Sequence, residues 1–177
     1  AIMLTASHLP ANRNGMKFFT RDGGLSAEPI RSILELADQL SISDDKMEIA
    51  AQVPLVEYYS EHLCSLIREQ TGKRKPLDGL KIIVDAGNGA GGFFVSEVLQ
   101  PLGANTQGSL YLDPDGRFPN HIPNPEHPEA LADLCEVVVR EKADIGIIFD
   151  TDVDRAAAVD REGVPITRNR FIALLAT

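Results

Sequence analysis

Ile145-Gly146-Ile147-Ile148-Phe149-Asp150-Thr151-Asp152-Val153-Asp154-Arg155 reads as a strand that runs into a loop of carboxylates. The segment from Asp144 to Phe149 is short, apolar and β-branched, as a buried sheet strand should be. In extended chain, residues i, i+2 and i+4 project to one side, so a bend after Phe149 can converge Asp150, Asp152 and Asp154 on one point. Three such charges repel unless a cation sits among them. Oxygen-only ligands select a hard ion, and Mg²⁺ characteristically completes its shell with phosphate oxygen or water. A solvated acidic turn is the plainer alternative, but carboxyl ends of strands in α/β sheets favour sites.

The elements around this strand alternate. Lys81–Asp85 is expected to be a strand, Gly91–Leu102 a helix and Asn105–Leu110 a strand, followed by an irregular Pro-rich stretch. Pro128–Lys142 then reads as a helix, Ala156–Asp160 as a further strand and Asp160–Val164 as a turn. Before Leu80 the pattern differs. Ala1–Leu4 and Lys17–Thr20 look like short strands, with turn chemistry at Arg21-Asp22-Gly23-Gly24. A helix capped by Ser26 runs to about Leu40, with Ile30, Ile33, Leu34 and Ala37 at helical spacing. A second helical stretch spans Met47–Gln70, where Pro54 should begin or kink the main helix and Gly72 close it. Lys73-Arg74-Lys75-Pro76 and Asp78-Gly79 read as a solvated linker.

These patterns imply an α/β fold of two units, with mixed, mostly parallel sheets covered by helices and a boundary near Leu77. The expected division is residues 1–78, residues 79–163, and a beginning of a third unit at 164–177. The chain opens without Met directly on an apolar run and stops in a helix, Asn169–Thr177, without a cap, so it reads as a piece of a longer protein.

The 177 residues carry a formal charge of −9, which argues against a nucleic-acid or anionic-membrane surface. A hydrophobic content of 44% is enough for a buried core. Cys64 and Cys135 are too few for a disulfide framework and lack metal-ligand spacing, which fits a reducing cytosol or plastid-like compartment. No apolar stretch approaches the roughly 18 to 20 residues that span a bilayer. A soluble cytoplasmic protein is expected.

Two other carboxylate-loop chemistries fail on particular positions. An EF-hand wants Gly at the sixth loop position and Glu at the twelfth, where Arg155 and Arg161 stand. The haloacid-dehalogenase phosphatase pattern needs Thr or Val after Asp150-Thr151-Asp152-Val153, and Asp154 stands there, which suits Asp150 as a ligand better than as a nucleophile. Near the start, Thr5-Ala6-Ser7-His8-Leu9-Pro10-Ala11-Asn12-Arg13-Asn14-Gly15-Met16-Lys17 gathers a hydroxyl, an imidazole and cations. By itself this is a turn serine. With its charge neutralised by a metal, Lys17 and His8, the hydroxyl could serve as a nucleophile.

That loop resembles the Thr-Ala-Ser-His-Asn-Pro segment, followed by Asn-Gly and Lys, of the α-D-phosphohexomutase superfamily, the phosphoglucomutases and phosphomannomutases, with Leu9 in place of Asn. Three more segments agree in the same order: Asp85–Gly92 with the glycine turn of its second domain, Asp115–Pro125 with its Pro-rich connection, and Asp150–Arg155 with its metal loop. The family's metal loop has Gly where Thr151 and Val153 stand, which should stiffen the loop. The resemblance implies the end of domain 1 and domain 2 of a phosphohexomutase, lacking domains 3 and 4 of the same polypeptide. It also implies a phosphoryl group carried by Ser7, and Mg²⁺ held by Ser7, Asp150, Asp152 and Asp154. His8 and Lys17 would assist proton transfer, and Arg155 would bind phosphate or support the metal loop. Phosphate would move between C1 and C6 of a hexose phosphate through a hexose bisphosphate intermediate. A magnesium-dependent sugar-phosphate phosphatase and a non-catalytic partner-binding fragment are the alternatives.

Gly87, Gly89 and Gly92 also satisfy a dinucleotide fingerprint, G-x-G-x-x-G between strand and helix, with Asp113 near the ribose-acid offset. Asp113 lies in a turn, however, and close helix packing alone explains the glycines. His62, His121 and His127 are read as structural.

Overall fold

The computed structural model describes residues 1–5, 12–41 and 51–176. The chain divides into two units, Ala1–Val53 and Pro54–Thr177.

In the first unit β1 (Ile2–Leu4), β2 (Met16–Thr20) and β3 (Gly23–Gly24) form a sheet in that order, with both pairs antiparallel. The expectation of mostly parallel pairing fails here. The connection between β2 and β3 is a tight turn at Arg21 and Asp22, where Asp22 N–H donates to Thr20 Oγ1 at 3.2 Å, and so short a link permits only a hairpin. Helix α1 (Ala27–Gln39) follows Ser26, which takes the N-cap position without a side-chain cap hydrogen bond. None of its residues is fully buried; of its apolar stripe Ile30 is half-buried and Leu34 is exposed.

The second unit starts with α2 (Leu55–Thr71). Of the stretch expected to be helical from Met47, residues 47–50 lie outside the described residues and residues 51–54 are not helical. Pro54 stands at the N-cap, where its missing N–H costs nothing, and Gly72 ends the helix at φ +65°. α2 lays Cys64 against Val98 and Leu102, flanked by Leu63 and Ile67. The unit boundary therefore falls between Val53 and Pro54, whereas the sequence pattern changes near Leu77. Leu77 itself is tied in, donating its N–H to Leu102 O at 3.0 Å, while Lys73, Arg74 and Lys75 are exposed.

The central sheet has the order β4 (Ile82–Asp85), β5 (Ile145–Phe149), β6 (Ala156–Asp160), with β4 parallel to β5 and β6 antiparallel to it. Residues 105–110 do not form the expected strand. They pair along the edge of β4 as two isolated parallel bridges, Lys81 to Asn105 and Asp85 to Leu110, with a turn at Gly108, φ +100°, interrupting the ladder between them. Ser109 Oγ accepts the Val84 N–H at 3.0 Å in place of a ladder bond.

α3 (Pro128–Arg140) begins on a proline and covers one face of this sheet with Ala130, Leu134, Val137 and Val138 against Ile83, Ile148 and Val159. On the other face, the expected helix from Gly91 is a 3₁₀ turn (Ala90–Gly92) followed by a π-helix (Phe94–Leu99). Its Val95 and Leu99 pack on Ile82, Val84 and Phe149. The result is three layers around a sheet whose successive residues feed opposite faces. α4 (Arg168–Leu175) follows Thr167. Among the described residues, no helix is long and apolar enough to cross a membrane.

Candidate metal centre

β5 and β6 pair through Phe149 and Ala156, which makes residues 150–155 the loop of a hairpin. Its base is closed reciprocally. Asp150 N–H donates to Arg155 O at 3.1 Å, and Arg155 N–H returns a bond to Asp150 Oδ1 at 3.0 Å. Arg155 Nε adds a third bond, to Asp150 Oδ2 at 3.0 Å, and lies 3.6 Å from Asp154 Oδ1. Asp150 is fully buried, and its hydrogen bond raises the Arg155 pKa further above its ordinary value, so the guanidinium stays charged.

One carboxylate oxygen each from Asp150, Asp152 and Asp154 lies within 4.8 Å of the others, and burial falls from Asp150 through Asp152 to the exposed Asp154. Arg155 reaches Asp150 and Asp154, the buried and the exposed members of the cluster. An all-oxygen, anionic donor set of this kind fits a hard divalent cation.

The loop holds strain at one residue. Val153 sits at φ +64°, a left-handed conformation that a β-branched side chain rarely takes, while its side chain packs against the cluster of Val84, Val95 and Phe149. The expected loss of flexibility where the family has Gly thus becomes a trade of backbone strain against packing at Val153; Thr151 has no positive φ. Val153→Ala keeps the strain and loses the packing, whereas Val153→Gly loses both. Chemical denaturation should therefore find Gly more stable than Ala at this position by about 1 kcal/mol, reversing their usual order.

The glycine turn lies beside this loop. Ala90 N–H donates to Thr151 O at 2.8 Å, and a Cβ on Gly89 would stand 2.8 Å from the same oxygen. A Cβ on Gly91 would meet the Phe149 ring at 2.9 Å, and one on Gly92 would overlap Leu112 O at 1.9 Å. These glycines are used for close packing, as the plainer reading has it. Asp85, at the end of β4, is fully buried and accepts the Gly87 N–H at 2.8 Å. It also pairs with His121 at 3.0 Å, a partnership that the sequence reading missed. The only sequence signal was an acid at the strand end and a histidine in the Pro-rich connection, 36 residues apart. His127 takes the N-cap position of α3, and His62 is exposed on α2.

In the first unit, Ser7 and His8 lie outside the described residues. The ends of their loop are described: Thr5 N–H donates to Gly15 O at 3.0 Å, and a Cβ on Gly15 would stand 2.4 Å from Thr5 O. Lys17 lies exposed on β2, opposite Met3.

Residues 57–163 match the family model for phosphoglucomutase/phosphomannomutase, alpha/beta/alpha domain II, and residues 1–41 match that for domain I. The chain is 34% identical over 175 residues to a phosphomannomutase/phosphoglucomutase of Pseudomonas aeruginosa, covering 99% of this chain and 36% of that protein. It is also 34% identical over 176 residues to a phosphoglucomutase of Neisseria meningitidis, with the same shares covered. A crystal structure of a phosphoglucomutase/phosphomannomutase family protein from Burkholderia thailandensis superposes with a TM-score of 0.75 at 32% identity, covering 99% of this chain and 36% of that one. The chain thus spans little more than a third of the length of the relatives it matches.

Proposed function

The chain belongs to the phosphoglucomutase/phosphomannomutase family, and from that premise we propose that it carries the phosphoserine and metal loops of an enzyme interconverting hexose 1-phosphate and hexose 6-phosphate. The observation that supports this reading is the convergence of Asp150, Asp152 and Asp154 at the position where the family's metal loop falls. Asp150, Asp152 and Asp154 would hold Mg²⁺, which when bound neutralises charge on a transferring phosphoryl group. Participation of the Ser7 phosphate in that shell is part of the same proposal.

Ser7 is the proposed phosphoryl carrier. The bond from phosphorus to Ser7 Oγ breaks as one forms to a hydroxyl of the hexose monophosphate, and the hydroxyl proton passes to the serine side. The resulting bisphosphate then gives its other phosphoryl group back to Ser7. His8 and Lys17 are proposed to move that proton and orient the phosphate, and Arg155 to hold the metal loop through Asp150, or to bind phosphate. The sugar and its distal phosphate would be held by two further domains of the same polypeptide, so turnover is proposed for the longer protein and not for these 177 residues alone.

Peptide mapping of freshly purified protein tests the reading. A phosphoryl adduct is expected on the peptide that contains Ser7, absent in Ser7→Ala, and the same substitution should abolish isomerisation by the longer enzyme. Full isomerase activity in Ser7→Ala would sink the assignment, and release of inorganic phosphate without isomerisation would replace it with a phosphatase.

A further inference from the structure

We propose that the buried pair Asp85 and His121 is a positioning element for the carboxylate loop, acting through the glycine turn; the inference rests on reading Asp150, Asp152 and Asp154 as a divalent-cation site.

The pair is enclosed. Asp85 is fully buried and the His121 side chain is 8% exposed. His121 Nε2 lies 3.1 Å and 3.0 Å from the two carboxylate oxygens of Asp85, and Nδ1 lies 3.0 Å from Ile122 O. Both ring nitrogens face oxygen acceptors, so the form satisfied on both sides is the imidazolium. Replacing such a buried ion pair by apolar residues is often neutral or stabilising, so stability alone is a weak reason for having one.

Its neighbours supply a better reason. Asp85 Oδ1 accepts the Gly87 N–H, and Gly87 at φ +52° is hemmed in by Pro123 and His121, against which a Cβ would stand at 3.0 Å and 3.1 Å. The turn continues through Gly89 N–H to Ala86 O at 2.7 Å and ends at Ala90, whose N–H donates to Thr151 O. Thr151 lies between two of the three aspartates. A loop of converging carboxylates pushes itself apart, so a fixed bond to its backbone sets how closely Asp150 and Asp152 approach. The charged pair anchors the turn from below and the turn holds the loop from the side. Asp85 and His121 would then act on a bound cation without touching it, as outer partners of metal ligands do.

The test uses the 177-residue chain with Mg²⁺ as the probe. Calorimetric titration of the wild type against Asp152→Asn establishes whether the carboxylate loop binds the ion. Asp85→Asn, which keeps the shape and removes the charge, should weaken Mg²⁺ binding about tenfold or more. In metal-free protein the same variant should speed hydrogen exchange at the Ala90 amide and shift the amide resonances of residues 150–155. His121→Gln should act in the same direction, and replaces Asp85→Asn if that variant does not fold. Leu134→Ala on α3 is the control: it lowers the melting temperature and leaves metal affinity and Ala90 protection unchanged. Wild-type affinity and wild-type Ala90 exchange in the folded variants would overturn the proposal. A wild type that binds no Mg²⁺ would instead overturn the metal reading, and the metal-free exchange and resonance shifts would still decide the positioning role.

Discussion

Gly92→Ala is expected to lower stability by about 3–5 kcal/mol, far beyond the usual cost of a glycine substitution. The added Cβ would stand 1.9 Å from Leu112 O, 2.9 Å from Leu112 C and 3.2 Å from Leu112 Cα. All three atoms are backbone, so no rotamer change relieves the clash. Either the 3₁₀ turn or the 111–113 segment must move, and Ala90 at the head of that turn carries the bond to Thr151. Gly116→Ala, where nothing lies within 4 Å of the added atom, should be nearly neutral. Urea melts of the two variants separate packing from mere backbone entropy, which acts at both positions. The same contacts explain why the G-x-G-x-x-G spacing is not a nucleotide fingerprint here. In that fingerprint one glycine lets the backbone approach a pyrophosphate. Here the chain itself fills those spaces, with Pro123 and His121 at Gly87, Thr151 at Gly89 and Leu112 at Gly92.

Local chemistry was legible and long-range pairing was not. The strand before Asp150 and the three alternating aspartates form one continuous stretch, so a carboxylate cluster could be expected from them alone, although a hairpin loop with Val153 at φ +64° gathers it and not extended chain. The ends of α2 followed similarly from Pro54 and Gly72, residues whose backbone limits are intrinsic. Residues 105–110 have a strand-like composition, but the turn around Gly108 and the Ser109 hydroxyl take over the backbone bond that a strand would have made. On sequence α2 falls with the first unit because it precedes the linker-like lysines, whereas the fit of Cys64 against Val98 and Leu102, the Tyr59–Phe93 ring contact and the Arg68 bond to Pro101 O join it to the second. Its amphipathic pattern announces a buried face without naming the partner. His121, structural on the sequence reading, bonds Ile122 O in its own segment, while its partner Asp85 lies in β4 and carries no local signal.

The pairing of His121 with Asp85 also sets how stability should depend on pH. The Asp85 hydrogen bond raises the His121 pKa, against a smaller opposing effect of burial. A raised folded-state pKa means that the stabilisation is fully present below the unfolded histidine value, about 6.5, and is lost as pH rises through the higher folded value. The other groups facing the ring do not reverse this sign. Asp133 adds negative charge, and the Tyr111 hydroxyl, whose bond to Asp133 pushes its pKa up to about 12, stays neutral across the window. His127 and Glu129 line the same hollow of about 280 Å³ beside His121. At pH 6, His121→Ala leaves the Asp85 carboxylate buried without its counter-ion and should cost about 3–5 kcal/mol. As pH rises through the higher folded value the wild type itself loses the imidazolium charge, so the gap in melting temperature between wild type and variant should narrow. Subtracting the variant's profile removes the titration of the other three histidines, His8, His62 and His127. A gap that stays constant from pH 6 to the alkaline end of the folded range would show that His121 contributes packing alone, and that no ion pair with Asp85 stabilises the fold.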